Sequence, residues 1–444
     1  MAGGIWTDQN KVRPGVYIRF KTATASGIQV GNRGVIAICE PLSWGAVGKV
    51  TEIDASSDMA SITGFDITAP ENRFLREMFK GSNRTSAPVK VLLYRPSASG
   101  SAQATATIGN LTATAAYPGA RGNDLTIAIS ANADTEDYTV TTILAGDVVD
   151  IQVGAEVSDL ANNAWVEFSG EGALSDNTGV ALTGGADGTV AASAYSAFLS
   201  TIEAYKFDIL CYDGSDTDVA TAFITFIKRI AEENGQYAQL VLANATNPDS
   251  RFVINVVSGV VLDDGTTLTP AQVTWWVSGI QAGARYNESL TYASYPNAVT
   301  VSPVKTNSEI VAALGAGDFV LNSDDGTVRV ETDINSLITY TSDIGKVFRK
   351  NRVMRLCNQI ANDIYAQFSA NFIGVVNNNE IGRSRFKSVI VGYLLSIQAN
   401  QGIQNFEADD VEVLPGEEID AVVINLAIQP VDSIEKIYLT IEVA

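Results

Sequence analysis

The sequence predicts an α+β multidomain protein, in which a central α/β domain is split by an inserted all-β domain and followed by a C-terminal α+β domain. Three observations predict this fold class. Short apolar runs typical of buried strands alternate with helical patterns on both sides of residues 98–188. Within that stretch the composition shifts to Thr, Ala, Gly and Val and becomes poor in lysine. Two helical segments followed by strands occupy the C-terminal part of the chain.

The first part of the central domain, predicted at residues 23–97, has the pattern of a β-α-β unit. Apolar runs at 35–39 and 89–94 flank a helical segment at 70–79. Proline stands at the first position of that helix, where a backbone N–H would have no partner. The apolar side chains fall on one side of the helix, as expected for a helix that packs on a sheet: Phe74, Leu75, Met78 and Phe79.

The inserted domain, predicted at residues 98–188, contains short alternating runs separated by Gly, Asn and Asp. These runs predict strands at 125–130, 138–144 and 148–153. The domain ends in the sequence Leu-Thr-Gly-Gly-Ala-Asp-Gly at 182–188, whose glycines predict a flexible hinge.

After the insertion, helices and strands alternate again, which predicts that residues 189–343 complete the central domain. The predicted helices cover residues 195–204, 219–234 and a segment from 270 toward 283. The predicted strands cover residues 207–212, 237–242, 251–262 and 328–331.

The C-terminal domain, predicted at residues 344–432, begins with helices at 346–372 and 383–401. Strands follow at 410–414 and 421–428, joined by a Pro-Gly turn. The first helix carries a group of basic residues on one face: Lys346, Arg349, Lys350, Arg352 and Arg355. They indicate either a solvated helix face or a basic patch that docks on an acidic patch of another copy.

Both ends of the chain carry strand patterns, which predict an N-terminal arm at residues 1–22 and a C-terminal arm at 433–444. The N-terminal pattern follows a turn and covers Val16, Tyr17, Ile18, Arg19 and Phe20. A terminal strand is predicted at 434–443, with the apolar members Ile434, Ile437, Leu439, Ile441 and Val443. Such strands can fold back on their own sheet or add to the sheet of a neighbouring chain, and the local pattern fits both equally well.

Composition excludes several classes of partner. The 444 residues are enough for roughly two to four domains. A net charge of −21 would repel a phosphate backbone, so we expect no direct binding of nucleic acid. No apolar run approaches the roughly 20 residues of a spanning helix, and the first residues lack the pattern of a signal peptide. We therefore expect a chain that is made in a cytoplasm and does not insert into a membrane.

Histidine is absent from the sequence. Catalytic triads and zinc sites that depend on histidine are therefore impossible, and the Asp and Glu residues stand mainly in turns. The three cysteines are far apart and predict neither a disulfide framework nor a metal site. Catalysis by carboxylates or by lysine remains open, but no pair of carboxyl groups suggests an acid and a base, so we expect no enzymatic activity and no cofactor.

One loop fits a metal-binding pattern. Residues 213–217, Asp-Gly-Ser-Asp-Thr, follow a predicted strand, and short oxygen side chains at alternate positions can converge on Mg²⁺. The sequence favours the simpler interpretation, a strand-to-helix loop with an N-cap. A second glycine-rich stretch, 117–123, lacks the Lys-Ser/Thr pair of a phosphate-binding loop and predicts a structural turn.

Several of these segments together resemble the contractile tail sheath proteins of bacteriophages and of phage-tail-like bacteriocins, especially those of the Gram-positive type. The resemblance lies in Arg-Pro-Gly-Val-Tyr at 13–17, Tyr-Pro-Gly-Ala-Arg-Gly-Asn at 117–123, the glycine-rich 182–188 and the helix-helix-strand-strand C-terminus. These segments span nearly the whole chain in the expected order.

The resemblance implies a structural subunit that forms stacked six-subunit rings around an inner tail tube and contracts to drive the tube through a bacterial envelope. It implies that both arms complete the sheet of the C-terminal domain in adjacent subunits. Our own hypothesis adds that the basic helix face rebuilds subunit contacts on contraction. The implied partners are other copies of the chain, the inner tube protein, and baseplate and tail terminator proteins. The implied location is a virion or tail-like particle assembled in the cytoplasm of a bacterial host.

Two alternatives remain open. The main alternative is another self-assembling structural protein, such as a surface-layer or capsid-like subunit, although a surface-layer protein would be expected to carry a secretion signal. An adhesion or enzyme domain that depends on a divalent metal would use the loop at Asp213.

Overall fold

The structure is a computed structural model that describes residues 30–443 and, for residues 3–4 and 16–17, the backbone alone. The chain forms two compact units: a larger one of Gly31–Tyr365 with Pro430–Ala444, and a smaller one of Met1–Val30 with Ala366–Gln429. Near the N-terminus, strand β1 (Gly3–Gly4) pairs in parallel with β2 (Val16–Tyr17).

The first part of the larger unit contributes three strands and two helices. These are β3 (Val35–Cys39), β4 (Val50–Ile53), α1 (Met59–Thr63), α2 (Arg73–Met78) and β5 (Lys90–Tyr94). A 3-10 turn, Pro70–Asn72, precedes α2, so the helix predicted at 70–79 is present in two pieces.

The insertion consists of two antiparallel sheets packed face to face. Its strands are β6 (Thr105–Ile108), β7 (Leu111–Ala115), β8 (Leu125–Ala131), β9 (Tyr138–Leu144), β10 (Asp147–Gly154), β11 (Val166–Gly170) and β12 (Asn177–Ala181). The sheets have the orders β10-β9-β8-β12 and β11-β7-β6. Alternate residues of β8 such as Leu125 and Ile127 are buried between the sheets, as the period-2 pattern predicts.

The rest of the larger unit returns to alternating helices and strands. Its helices are α3 (Ala192–Ile202), α4 (Thr217–Glu232), α5 (Pro270–Gly283) and α6 (Asn307–Gly315). Its strands are β13 (Ile209–Cys211), β14 (Gln239–Ala243), β15 (Val253–Val256), β16 (Gly259–Leu262), β17 (Thr267–Leu268), β18 (Ala298–Ser302), β19 (Asp318–Phe319), β20 (Leu321–Asp324) and β21 (Thr327–Val330).

A seven-stranded sheet with the order β19-β15-β14-β13-β3-β5-β4 lies at the centre of the larger unit. Neighbouring strands are parallel except β4, which is antiparallel to β5. In β3, Ile36 and Ile38 pack on the face covered by α2 and α5, whereas Ala37 and Cys39 pack on the face covered by α3 and α4. Because helices cover both faces, these strands are continuous apolar runs. The predicted mixed fold with several domains is confirmed.

The single strand predicted at 251–262 is wrong, because two strands of different sheets occupy it. Strand β15 belongs to the central sheet, whereas β16 lies in a three-stranded sheet between β17 and β18. The chain passes very close to its neighbours at this change of sheet. A Cβ atom on Gly259 would lie 2.6 Å from the carbonyl oxygen of Leu268 and 2.7 Å from that of Ser302.

The flexible hinge predicted at 182–188 is also wrong, because this segment is paired with the chain entering the insertion. Backbone N–H and C=O groups of Thr105 and Thr183 bond each other at 2.8 and 3.0 Å, and the Ser99–Thr189 pair does so at 2.9 Å in both directions. Glycine here serves close packing: a Cβ on Gly185 would lie 2.4 Å from the carbonyl oxygen of Gly119.

A loop of the central domain penetrates the insertion. Trp44, which follows β3, is fully buried in the core of the insertion, 5.3 Å from the ring centroids of both Tyr117 and Trp165. Arg95 closes the junction, because its guanidinium donates to the carbonyl oxygens of Gly45 at 2.8 Å and Pro118 at 2.7 Å.

The C-terminal region contains two long helices and short strands: α7 (Asn351–Asn371), α8 (Glu380–Ala399), β22 (Ile403–Gln404), β23 (Val411–Pro415), β24 (Val422–Leu426) and β25 (Gln429–Pro430). The helix predicted at 346–372 is interrupted: Lys346–Arg349 forms a 3-10 turn, and Lys350 is extended with φ −81° and ψ 123°. Helix α8 begins before the predicted residue 383, because the Asn379 side chain accepts the N–H of Gly382 at 2.8 Å and caps the helix.

Candidate assembly surfaces

The C-terminal arm is the most exposed apolar segment of the described chain. Residues 431–443 belong to no helix or strand. Their apolar side chains are largely solvent-accessible, by 86% at Ile434, 85% at Ile437, 78% at Leu439, 75% at Ile441 and 92% at Val443. The prediction of a half-buried strand at 434–443 is therefore wrong for the single chain, because a strand requires a neighbouring strand to satisfy its backbone groups.

The root of this arm contacts other residues of the larger unit through polar groups. The Lys350 ammonium pairs with the carboxylate of Glu435 and lies 3.7 Å from Asp432 Oδ2. The Thr291 hydroxyl donates to Glu435 Oε1 at 2.8 Å. Thr291 could not be found from sequence, because it is 144 residues from Glu435 and stands in no motif.

The predicted N-terminal arm falls mostly outside the described residues. Val16 and Tyr17 form β2, and only their backbone is described. Ile18, Arg19 and Phe20 lie outside the described residues. The role of this arm in linking subunits stays a prediction.

The five predicted basic contacts do not form one exposed face. Lys346 is exposed, but the Arg349 guanidinium donates to the carbonyl oxygen of Leu314, and Lys350 pairs with the C-terminal arm. The interruption at Lys350 breaks the helical periodicity on which the predicted face depended.

Arg352 and Arg355 are buried, with 8% and 0% of their surface exposed. Arg355 Nη2 lies 2.8 Å from Asp333 Oδ2. Burial alone would raise the pKa of Asp333, but attraction to Arg355 and hydrogen bonds bring it below its ordinary value. The prediction that Arg355 contacts another subunit is wrong for this conformation of the chain, because its charge is neutralised inside the larger unit.

The smaller unit offers a partly unpaired sheet. Strands β23 and β24 form an antiparallel pair, and in the described residues neither has a second neighbour. Leu414 and Val423 of this pair are 39% and 46% exposed. A two-stranded sheet is only marginally stable in water, so this pair is suited to accept a further strand.

The loop considered for metal binding is a helix N-terminus. The Asp216 carboxylate accepts the N–H groups of Asp218 at 2.9 Å and Val219 at 3.1 Å, which caps α4. Asp213 accepts the Trp275 indole N–H at 2.6 Å instead of facing an open site. In the described residues no group of three or more His, Cys, Asp or Glu side chains could hold a metal ion.

Asp213 and Glu40 form a carboxyl pair at the carboxyl edge of the central sheet. They follow the neighbouring parallel strands β13 and β3, which bring them together. Burial raises the pKa of both groups, and the charge of Asp213 raises that of Glu40 further. Both carboxyl groups are therefore protonated more readily in the folded chain than in water.

No described helix is both long enough and apolar enough to serve as a membrane span.

Three models of protein families match successive parts of the chain. Residues 99–187 match the phage tail sheath protein beta-sandwich domain, and residues 188–336 match the phage tail sheath protein central domain. Residues 343–444 match the phage tail sheath C-terminal domain.

Two relatives from Bacillus subtilis (strain 168) align with the entire chain. The chain is 36% identical to the protein YqbK and 34% identical to the phage-like element PBSX protein XkdK, with 100% of both partners covered in each case. A tail sheath protein of a Clostridium phage is 27% identical over 47% of the chain and 57% of that protein.

The solved structures that the chain resembles are also sheath proteins. The sheath tail protein from Desulfitobacterium hafniense is 41% identical, with a TM-score of 0.84 over 96% of this chain and 99% of that chain. The anti-feeding prophage helical sheath in its contracted state is 14% identical, with a TM-score of 0.59 over 97% of this chain and 99% of that chain, and so shares the fold.

Proposed function

We propose that this chain, which belongs to the phage tail sheath protein family, polymerises as stacked hexameric rings around an inner tube. Members of this family are structural subunits of tail particles. The sheath then contracts and drives the tube through a bacterial envelope. The family is structural and not enzymatic, so the energy for contraction is stored in folding and assembly.

The observation that carries this proposal is the exposed C-terminal arm. It combines an alternating apolar pattern with no strand partner in the described chain. Such an arm can add to a sheet of a second copy, for which the β23–β24 pair offers open edges. Each backbone hydrogen bond contributes about 1 kcal/mol net, so one arm contributes a few kcal/mol, multiplied over many subunits.

Linking by arms also suits contraction. A subunit can rotate while its arm stays paired with a neighbour, because the link is an extended chain and not a rigid domain contact. The N-terminal arm, including Val16 to Phe20, has the same role in this proposal. The other partners are the inner tube protein and the baseplate and terminator proteins, with assembly in the cytoplasm of the bacterial host.

Deletion of residues 436–444 tests the proposal. The truncated chain should fold with unchanged circular dichroism and urea midpoint, because the deleted side chains contribute little to its own core. We expect it to form no tubes in negative-stain electron microscopy, with or without the inner tube protein.

A matched control keeps the length and the alternating apolar residues of the arm and changes two residues that lie between them, as in the double variant Y438T/E442T. We expect both this control and the parent to form striated tubes with six-fold cross-sections. Tubes of normal stability from the truncated chain would contradict the proposal.

A further inference from the structure

We propose that Lys350, Thr291 and Glu435 form an anchor that fixes the root of the C-terminal arm to its own subunit, so that a second copy takes up residues 436–443. The uptake by a second copy rests on the proposed function. The anchor itself is a property of the single chain and can be tested without assembly.

The anchor ends at Glu435, where the burial of the arm changes. Val431, Ser433 and Glu435 are half-buried, whereas Asp432, Ile434 and Lys436 are exposed. All residues from Lys436 to Val443 are exposed. At the root, the polar side chain of Glu435 is therefore directed inward while the apolar side chain of Ile434 is exposed to solvent. Burial of apolar surface alone would produce the opposite arrangement.

The contacts of Glu435 explain this reversal. Both carboxylate oxygens are engaged, one by the Lys350 ammonium and the other by the Thr291 hydroxyl at 2.8 Å. The side chain of Glu435 is 14% exposed and that of Lys350 is 25% exposed, so solvent screens this pair less than an ordinary surface ion pair.

The anchor continues into the buried polar network of the larger unit. The Thr291 hydroxyl oxygen accepts the backbone N–H of Asp333 at 3.0 Å. The Asp333 carboxylate pairs with Arg355 of α7, and Gln281 of α5 donates to it at 2.8 Å. A force that pulls on the arm is therefore transmitted through these contacts to helices α5 and α7.

The position of the anchor limits where the arm can bind. Eight extended residues beyond Glu435 span about 26 Å at about 3.3 Å per residue. The receiving strand of the second copy must therefore lie within about 26 Å of Glu435 of the donor subunit.

Trypsin cleavage after Lys436 in the unassembled chain tests the anchor. A protease must bind several residues on each side of the bond in extended form, and the anchor restrains Asp432 to Glu435. We expect K350M to accelerate cleavage several-fold, measured by mass spectrometry over time, and K350R to cleave at a rate near that of the parent. The matched control K346M removes the same charge at an exposed position and should leave the rate unchanged.

Equal cleavage rates for the parent and K350M would overturn the anchor. The second step compares tube formation, where K350M should form fewer and less stable tubes although its arm sequence is intact. Faster cleavage together with normal tubes would overturn the role of the anchor in uptake. Absence of tubes from the parent chain would count against the proposed function, while the cleavage rates would still decide the anchor.

Discussion

The charge of Arg355 lies deep inside the larger unit and links several segments of the chain. Besides Asp333, its guanidinium contacts the side chain of Gln281 and donates to the carbonyl oxygen of Glu288 at 2.7 Å. Asn351 donates to the same Asp333 carboxylate at 2.9 Å. Loss of one member of such a pair leaves an uncompensated buried charge, which costs more than the pair contributes.

Replacement of this arginine in R355M should lower the free energy of unfolding by about 3–5 kcal/mol, as measured by urea denaturation. K346M is the control, since Lys346 is exposed and its loss should change stability by less than about 0.5 kcal/mol. The double variant R355M/D333N should recover part of the loss, because it removes both charges. Equal stabilities of R355M and K346M would contradict a structural role for the pair.

The carboxyl pair of Glu40 and Asp213 predicts a pH dependence of stability. Because burial raises both pKa values in the folded chain, the favourable contribution of the protonated pair is complete below about pH 4. That contribution is lost as the pH rises through the raised pKa values. E40Q removes one of the two titrations, so we expect it to raise the melting temperature at pH 8 and to have little effect at pH 4.

The control for this prediction is E136Q, which changes an exposed carboxylate and should have the same small effect at both pH values. Thermal denaturation followed by circular dichroism gives the comparison. A shift of E40Q that is equal at pH 4 and pH 8 would show that the pair does not titrate as described.

Single residues were predictable from sequence in type but not in partner. The five basic residues from Lys346 to Arg355 are visible as a cluster, yet the acid that neutralises Arg355 lies 22 residues away and Gln281 lies 74 residues away. No local spacing relates these positions. The sequence therefore predicted a helix face that is either solvated or docked on another copy, whereas the fold buries Arg352 and Arg355.

At the scale of elements, the loop after β3 joins two domains through one side chain. Trp44 fills the core of the insertion although it belongs to the central domain in sequence. W44A should lower the free energy of unfolding by about 3–5 kcal/mol, because it leaves a cavity that the two sheets cannot close. Y438A, at a side chain that is 90% exposed, should leave urea unfolding unchanged. A urea midpoint of W44A equal to that of Y438A would argue against a stabilising role of Trp44 between the two domains.

Elements with strong local patterns were predictable, and elements defined by distant pairing were not. Helices α4 and α5 and strands β3 and β9 follow from their periodicity and caps. The segment 182–188 has the composition of a flexible linker, but its order depends on pairing with residues about 80 positions earlier. The terminal arm shows the converse case, because its strand pattern has no partner in the described chain.

At the scale of the whole molecule, net charge and the internal use of basic residues act together. The chain carries −21, and among the described residues several arginines and Lys350 are already paired within it. Copies should therefore repel one another at low ionic strength. We expect the concentration needed for tube formation to fall when salt is raised from 0.1 M to 1 M, where the screening length drops from about 10 Å to about 3 Å.

Light scattering at a series of protein concentrations measures this onset. The truncated chain without residues 436–444 serves as the control that should not scatter at any salt concentration. If the protein concentration needed for tube formation rises with salt, the result would instead support docking of a basic patch on an acidic patch between subunits.

The pairing of Ser99 with Thr189 means that the insertion leaves and rejoins the central domain at one point. In the topology of the central domain, the insertion therefore occupies the position of a loop whose two ends are hydrogen-bonded to each other. A short turn, or an unrelated domain with close termini, can occupy the same position if Trp44 is replaced by a small polar residue at the same time. The point of attachment would therefore allow the β domain to be exchanged or omitted without redesigning the helices, the central sheet or the arm.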